Sequence, residues 1–229
     1  MTTTGTTDFT LDVNEAIEEA WERASGGQEI RSGYQYRTAR RSLNFVLQEM
    51  ANKGLNLWTV QSAVLPLTQG QATYQLPADT IDLIEHVVRQ NSNGQNTDIN
   101  ITRIGVSTYA TIPNKGVVGR PVQIYIDRQR DNPQFSVWPV PENNTYSLVY
   151  WRLRRLQDAG SGFNTFDVPF RFYNALVAGL AFHLAQKLPG MDAQRAVLLK
   201  QAYDEAWQMA ADEDRDRSDI TFLPKVYRV

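Results

Sequence analysis

The segment VPFRFYNALVAGLAFHLAQKLP, residues Val168–Pro189, sets the architecture of this chain. Asp167 stands before it as a helix cap, and Pro169 falls in the first turn, where a missing N–H costs nothing. Phe170, Tyr173, Leu176, Val177, Leu180, Leu184 and Leu188 lie on more than one face, so this helix needs partners on several sides. Its most apolar run, Ala175–Leu184, is interrupted by Gly179 and His183 and stops at Pro189-Gly190. No stretch of the sequence approaches the roughly 20 apolar residues of a membrane helix. The spacing predicts the most buried helix of a water-soluble fold.

The partners lie downstream and far upstream. Asp192 caps a long helix over Ala193–Asp212, with Val197, Leu198, Ala202, Tyr203, Ala206, Trp207 and Ala210 as its apolar face. Near the N-terminus, Asp12 and Glu15 form a capping box and Leu11 a hydrophobic staple for a helix over Val13–Ala24. That helix repeats Val13, Ile17, Ala20, Trp21 and Ala24 at spacings of three and four, and Gly26-Gly27 ends it. A second helix runs from Ser32 to Lys53, with Tyr36, Ala39, Leu43, Val46, Leu47 and Met50 as its stripe and Gly54 at its C-terminal cap.

Between these helical ends the pattern turns to strands. Trp58–Leu67, Ala72–Leu76, Ile81–Arg89, Val122–Arg128, Phe135–Pro139 and Tyr146–Leu156 are rich in β-branched and aromatic residues. Asp131-Asn132-Pro133 and Pro141-Glu142-Asn143-Asn144 supply turn chemistry. NSNGQNTD, residues Asn91–Asp98, predicts an exposed loop, Ile101–Tyr109 one short helix, Pro113–Pro121 a loop, and Gly160-Ser161-Gly162 a flexible linker. A helical hairpin alone cannot bury its stripe, whereas two together can. The expectation is an α+β fold, a helical bundle built from N- and C-terminal helical hairpins with an inserted small antiparallel β-domain. Its parts are residues 1–56, 57–157, 158–217 and a C-terminal arm, 218–229.

Composition narrows the function. In 229 residues there are 23 Lys+Arg against 25 Asp+Glu, two histidines and no cysteine. A net charge of −2 argues against gripping nucleic acid by bulk positive charge. Without cysteine there is no disulfide scaffold, thiolate metal site or cysteine nucleophile. Phosphate-loop, dinucleotide and nucleophile-elbow motifs are absent. His86 and His183 have no partner at metal-binding spacing. Asp79, Asp82 and Glu85 offer fewer converging oxygens than a hard cation needs. The reading is of no catalytic, cofactor or metal residues, and of no targeting signal.

Two features stand out. Arg152 and Arg154 share one strand face, with Arg128 and Arg130 on a preceding strand, while Trp151 and Leu153 point to the other, apolar face. The basic face is either solvated or a contact for an acidic neighbour or a phosphate backbone. After the charged run Asp212–Arg217 comes an apolar decamer, in which Ile220, Phe222, Leu223, Val226, Tyr227 and Val229 invite association. This arm either packs back on its own domain or docks onto another chain as a strand or extended segment.

Four stretches carry a family likeness: ARRSLNFVLQEMANKGLNLW (Ala39–Trp58), YQLPADTID (Tyr74–Asp82), FSVWPVPENNTYSLVYWRL (Phe135–Leu153) and the opening segment Val168–Pro189. On these the chain resembles the head-to-tail adaptor proteins of short-tailed bacteriophages, also called tail tubular protein A or head-completion connectors. The resemblance implies a structural virion protein at the head–tail junction, made in the bacterial host cytoplasm. It further implies a homo-oligomeric ring, usually a dodecamer, between the portal protein and the tail nozzle protein. Double-stranded DNA would pass through its channel, and the C-terminal arm would reach the portal. No membrane and no cofactor enter this reading. One alternative is a DNA-binding module using the N-terminal helical hairpin, with Arg37, Arg40 and Arg41 toward phosphate, against which Glu15, Glu18, Glu19 and Glu22 count. A carboxylate-pair hydrolase is the other, and no glutamate sits in the pKa-raising context it needs.

Overall fold

The computed structural model describes residues 3–7, 9–53, 57–92 and 94–214. The chain is an α+β protein that divides into two compact units. One is drawn from the residues up to Leu57 and from Gln157 onward; the other is Trp58–Leu156.

In the first unit, α1 (Val13–Ser25) starts at a complete capping box. Glu15 N–H donates to Asp12 Oδ1 at 2.8 Å, and Asp12 N–H donates to Glu15 Oε2 at 3.1 Å. The helix stops where Gly26 takes a positive φ of 82°, a conformation that suits glycine. The next helix, α2 (Gly33–Asn52), has a second box between Ser32 and Gln35. The cap expected of Gly54 lies outside the described residues.

Among the described residues the second unit holds ten strands. They are β1 (Val60–Pro66), β2 (Thr73–Gln75), β3 (Thr80–Ser92), β4 (Gln95–Asn100), β5 (Thr102–Ile104), β6 (Val118–Gly119), β7 (Gln123–Asp127), β8 (Gln134–Trp138), β9 (Val140–Pro141) and β10 (Tyr146–Arg154). A short helix, α3 (Val106–Ala110), follows β5. Two four-stranded sheets run β1-β10-β3-β4 and β2-β8-β7-β5, and β6 pairs with β9. Leu83, Val88, Leu148 and Tyr150 from the first sheet share one core with Tyr74, Ile124, Ile126, Phe135 and Val137 from the second.

Two expectations for this unit need correction. The unit is not wholly antiparallel, because β5 joins β7 and β6 joins β9 in parallel. Parallel neighbours require a crossover instead of a hairpin, and between β5 and β7 the chain passes through α3 and β6. Nor is Asn91–Asp98 a loop: β3 and β4 pair through it, from Arg89↔Asp98 to Ser92↔Gln95. Cross-strand partners outweigh the poor strand propensity of these residues. Arg89 Nε donates to Asp98 at 2.7 Å and Asn91 Nδ2 to Asn96 at 3.0 Å.

Back in the first unit, a 3₁₀ turn at Phe170–Phe172 leads into α4 (Tyr173–Ala185), and α5 (Ala193–Glu213) follows. Pro169, and not Asp167, is the capping residue of that turn, since the Asp167 carboxylate accepts from Gln157 N–H at 3.1 Å. Nine of the thirteen residues of α4 are buried, among them Ala175, Leu176, Val177, Leu180 and Leu184. It packs against α1, α2 and α5, more extensively in each case than α1 packs against α2. The packing therefore centres on α4. At Gly179 the approach is so close that an added Cβ would stand 2.9 Å from the Tyr203 ring and 3.1 Å from Val46.

Candidate functional site

The arginines singled out in the sequence meet the acidic residues of the same β unit. Arg152 Nη1 donates to Asp79 Oδ1 at 2.5 Å and to Thr80 Oγ1 at 3.0 Å, and Nη2 donates to Gln61 at 2.8 Å. Its side chain is only 11% exposed. The guanidinium of Arg152 holds the Asp79 carboxyl below the ordinary carboxylate range, and Arg154 adds to the effect. Arg103 and Arg128 reach Asp82 at 2.8 and 3.3 Å. Arg154 donates to the Arg155 carbonyl at 3.2 Å. Arg128 and Arg130 are the most exposed of the four, and Arg130 lies 3.6 Å from Asp131.

The strand faces are reversed at this point. Tyr146, Leu148 and Tyr150 are the core side of β10, and alternation puts Arg152 next on that side. Trp151, expected on the apolar face, is exposed. A register shift in the β10–β3 ladder falls between Trp151 and Arg152.

His183 Nε2 lies 3.2 Å from Glu49 Oε2 in the helical unit. Burial pushes the His86 imidazole below its ordinary pKa, with Arg103 acting in the same direction, and neither ring nitrogen has a hydrogen-bond partner. Among the described residues no three His, Asp or Glu side chains converge in a way that could hold a metal ion.

What the helical unit offers instead is surface. Along α2 the core stripe of Ala39, Leu43, Val46, Leu47 and Met50 is buried. Tyr34, Arg37, Arg41, Phe45 and Gln48 recur at spacings of three and four on its exposed side. Tyr34 is 66% exposed and Phe45 57%. Tyr34, Arg37, Arg40, Arg41 and Asn44 line a shallow hollow. Of these, Arg40 donates to the Gly160 carbonyl and Arg41 to Thr38 Oγ1 at 3.3 Å. The glycine cluster that receives Arg40 is no flexible spacer. Gly162 accepts from Asn14 N–H at 3.0 Å, so the loop covers the first turn of α1.

The helix α5 departs furthest from its sequence reading. Tyr203, Ala206 and Ala210 are buried as expected, but Val197 is 57% exposed and Leu198 63%. At 100° per residue those two lie more than 100° from the line of Tyr203, Ala206 and Ala210, so one packed face cannot include them. Val197 and Leu198 line a second hollow with Ala193, Gln194 and Gln201. Sequence reasoning also passed over Tyr34 and Phe45. Their shared phase with Arg37 and Arg41, opposite the core stripe, was the available signal.

The arm residues Ile220, Phe222, Leu223, Val226, Tyr227 and Val229 lie outside the described residues. No described helix is long and apolar enough to cross a membrane. A family model described as SU10 adaptor protein matches residues 5–222 of the chain. No curated protein matches it.

Proposed function

The chain belongs to the SU10 adaptor protein family, a phage adaptor that is a structural component of the virion, and from this we propose that it forms a ring between the portal and the tail nozzle of a short-tailed phage. In this reading the ring is a dodecamer with genomic DNA passing through its channel. The observation that carries it is a family match spanning both units and reaching Phe222. Exposed aromatic and aliphatic side chains on α2 and α5 support it, because an assembly part needs contact surface.

The assembly step itself would be ordering of the arm. Burying Ile220, Phe222, Leu223, Val226, Tyr227 and Val229 against portal gains about 25 cal/mol per Å² before ordering costs. Repetition around a ring makes weak single contacts collectively firm. Removal of residues 219–229 is expected to abolish incorporation into portal-containing particles, as seen by electron microscopy. Normal incorporation of the truncated chain would overturn the role of the arm.

The basic hollow on α2 gives the DNA-binding alternative its one supporting observation. Duplex binding by the free protein that weakens as salt rises would favour it. An absence of binding at low salt would remove it.

A further inference from the structure

We propose that α2 of one copy packs against α5 of the next, so that the ring wall is a repeated contact between two different helix faces. The inference deepens the ring reading and rests on it.

The two faces are complementary in the properties that matter. On α2 the exposed stripe is aromatic and basic: Tyr34, Arg37, Arg41, Phe45. Among the described residues neither Arg37 nor Arg41 has a carboxylate partner. On α5 the stripe Leu198, Ala202, Glu205, Met209 is aliphatic and acidic, and all four are exposed. Glu205 likewise has no basic partner among the described residues. The helices have 20 and 21 residues, each about 30 Å long, so one can lie along the other over most of its length. Each also carries a hollow beside its stripe, with space for a side chain of a facing helix to enter.

Charge decides the symmetry. Pairing α2 with α2 would set Arg37 and Arg41 against their own copies, and pairing α5 with α5 would do the same for Glu205. Of these three pairings, only α2 with α5 brings opposite signs together. A contact between two different patches is heterologous, and heterologous contacts generate rings when the rotation closes. Duplex DNA as the occupant of α2 would use the arginines but leave Phe45 and the whole α5 stripe unexplained.

Because the chain has no cysteine, introduced thiols report this contact cleanly. Phe45→Cys with Leu198→Cys in the full-length protein, assembled alone or on portal, is treated with a short bis-maleimide. The double variant is expected to give a ladder of multimers, each single variant no ladder, and the two singles mixed a dimer only. Reversing charge with Arg37→Glu plus Arg41→Glu should weaken association about tenfold or more, as should Glu205→Arg. Combining the reversals should restore most of it. A ring formed by the double-cysteine variant that gives no ladder, or dimers from Phe45→Cys alone, overturns the pairing and leaves the adaptor reading standing. If reversal on α2 removes duplex binding but not self-association, the pairing is likewise overturned. A wild-type protein that never assembles, alone or on portal, overturns the ring reading and this proposal with it.

Discussion

Arg152 shows how far a single residue can be read before its surroundings are known. A strand Arg beside other arginines looks like a docking surface, and composition cannot reveal that Asp79, 73 positions earlier, holds it. Asp79→Ala would leave a mostly buried guanidinium with only Thr80 and Gln61, at a cost of about 1–2 kcal/mol, measurable by urea unfolding. The Asp79 carboxyl is held below its ordinary value of 3.8, so the pair stabilises above that pH and the contribution fades as pH falls beneath it. The difference between wild type and Asp79→Ala should therefore narrow from pH 7 to pH 3; a constant difference would contradict the assignment. His86 works in the opposite sense. Its pKa is depressed below 6.5 by burial and Arg103, against the pull of Glu85 and Asp82. The unfolded chain then takes up the proton first, so stability is lost as pH drops below 6.5. His86→Leu should flatten the decline in urea midpoint between pH 6.5 and 5.

Elements were legible where local chemistry closes on itself. The capping box at Asp12–Glu15 is written in four consecutive residues and is present, and the one at Ser32–Gln35, written the same way, went unread. Periodicity identified α4 as a helix apolar on more than one face, and nine of its thirteen residues are buried. It could not identify which apolar residues of α5 would find neighbours, because Val197 and Leu198 carry the same signal as Tyr203 and Ala206. Gly179 tests the packing of α4 directly. Alanine is preferred to glycine inside a helix by about 1 kcal/mol, yet here its Cβ would press on Tyr203 and Val46. Gly179→Ala should lower stability by about 1–3 kcal/mol, and Gly179→Val by more. The control is Gly33→Ala, in open space at the start of α2, which should leave the thermal midpoint unchanged or slightly raised. A stabilising Gly179→Ala would mean the helices are not this close.

For the whole molecule, a sequence shows an insertion as a change of period but not how its ends meet. Here β1 and β10 are paired neighbours, with Val60 opposite Leu153, which puts their Cα atoms about 5 Å apart. The core of Trp58–Leu156 is also self-contained. Residues 58–156 expressed alone should fold, with dispersed amide resonances and a cooperative thermal transition. A fragment without a transition would show that the unit depends on the helices. The parallel pairing of β5 and β7 was not legible, since nothing in three residues fixes their direction.

The position of α4 at the hub of the helical unit also has a consequence in time. During synthesis α1 and α2 emerge first, but α4, which packs against both, begins only at Tyr173. Roughly 120 residues must be translated in between, which at about 5–20 residues per second takes on the order of 6–25 s. For that interval two amphipathic helices leave the ribosome with their apolar faces bare. The nascent chain thus exposes apolar surface well before the helix that buries it has been made.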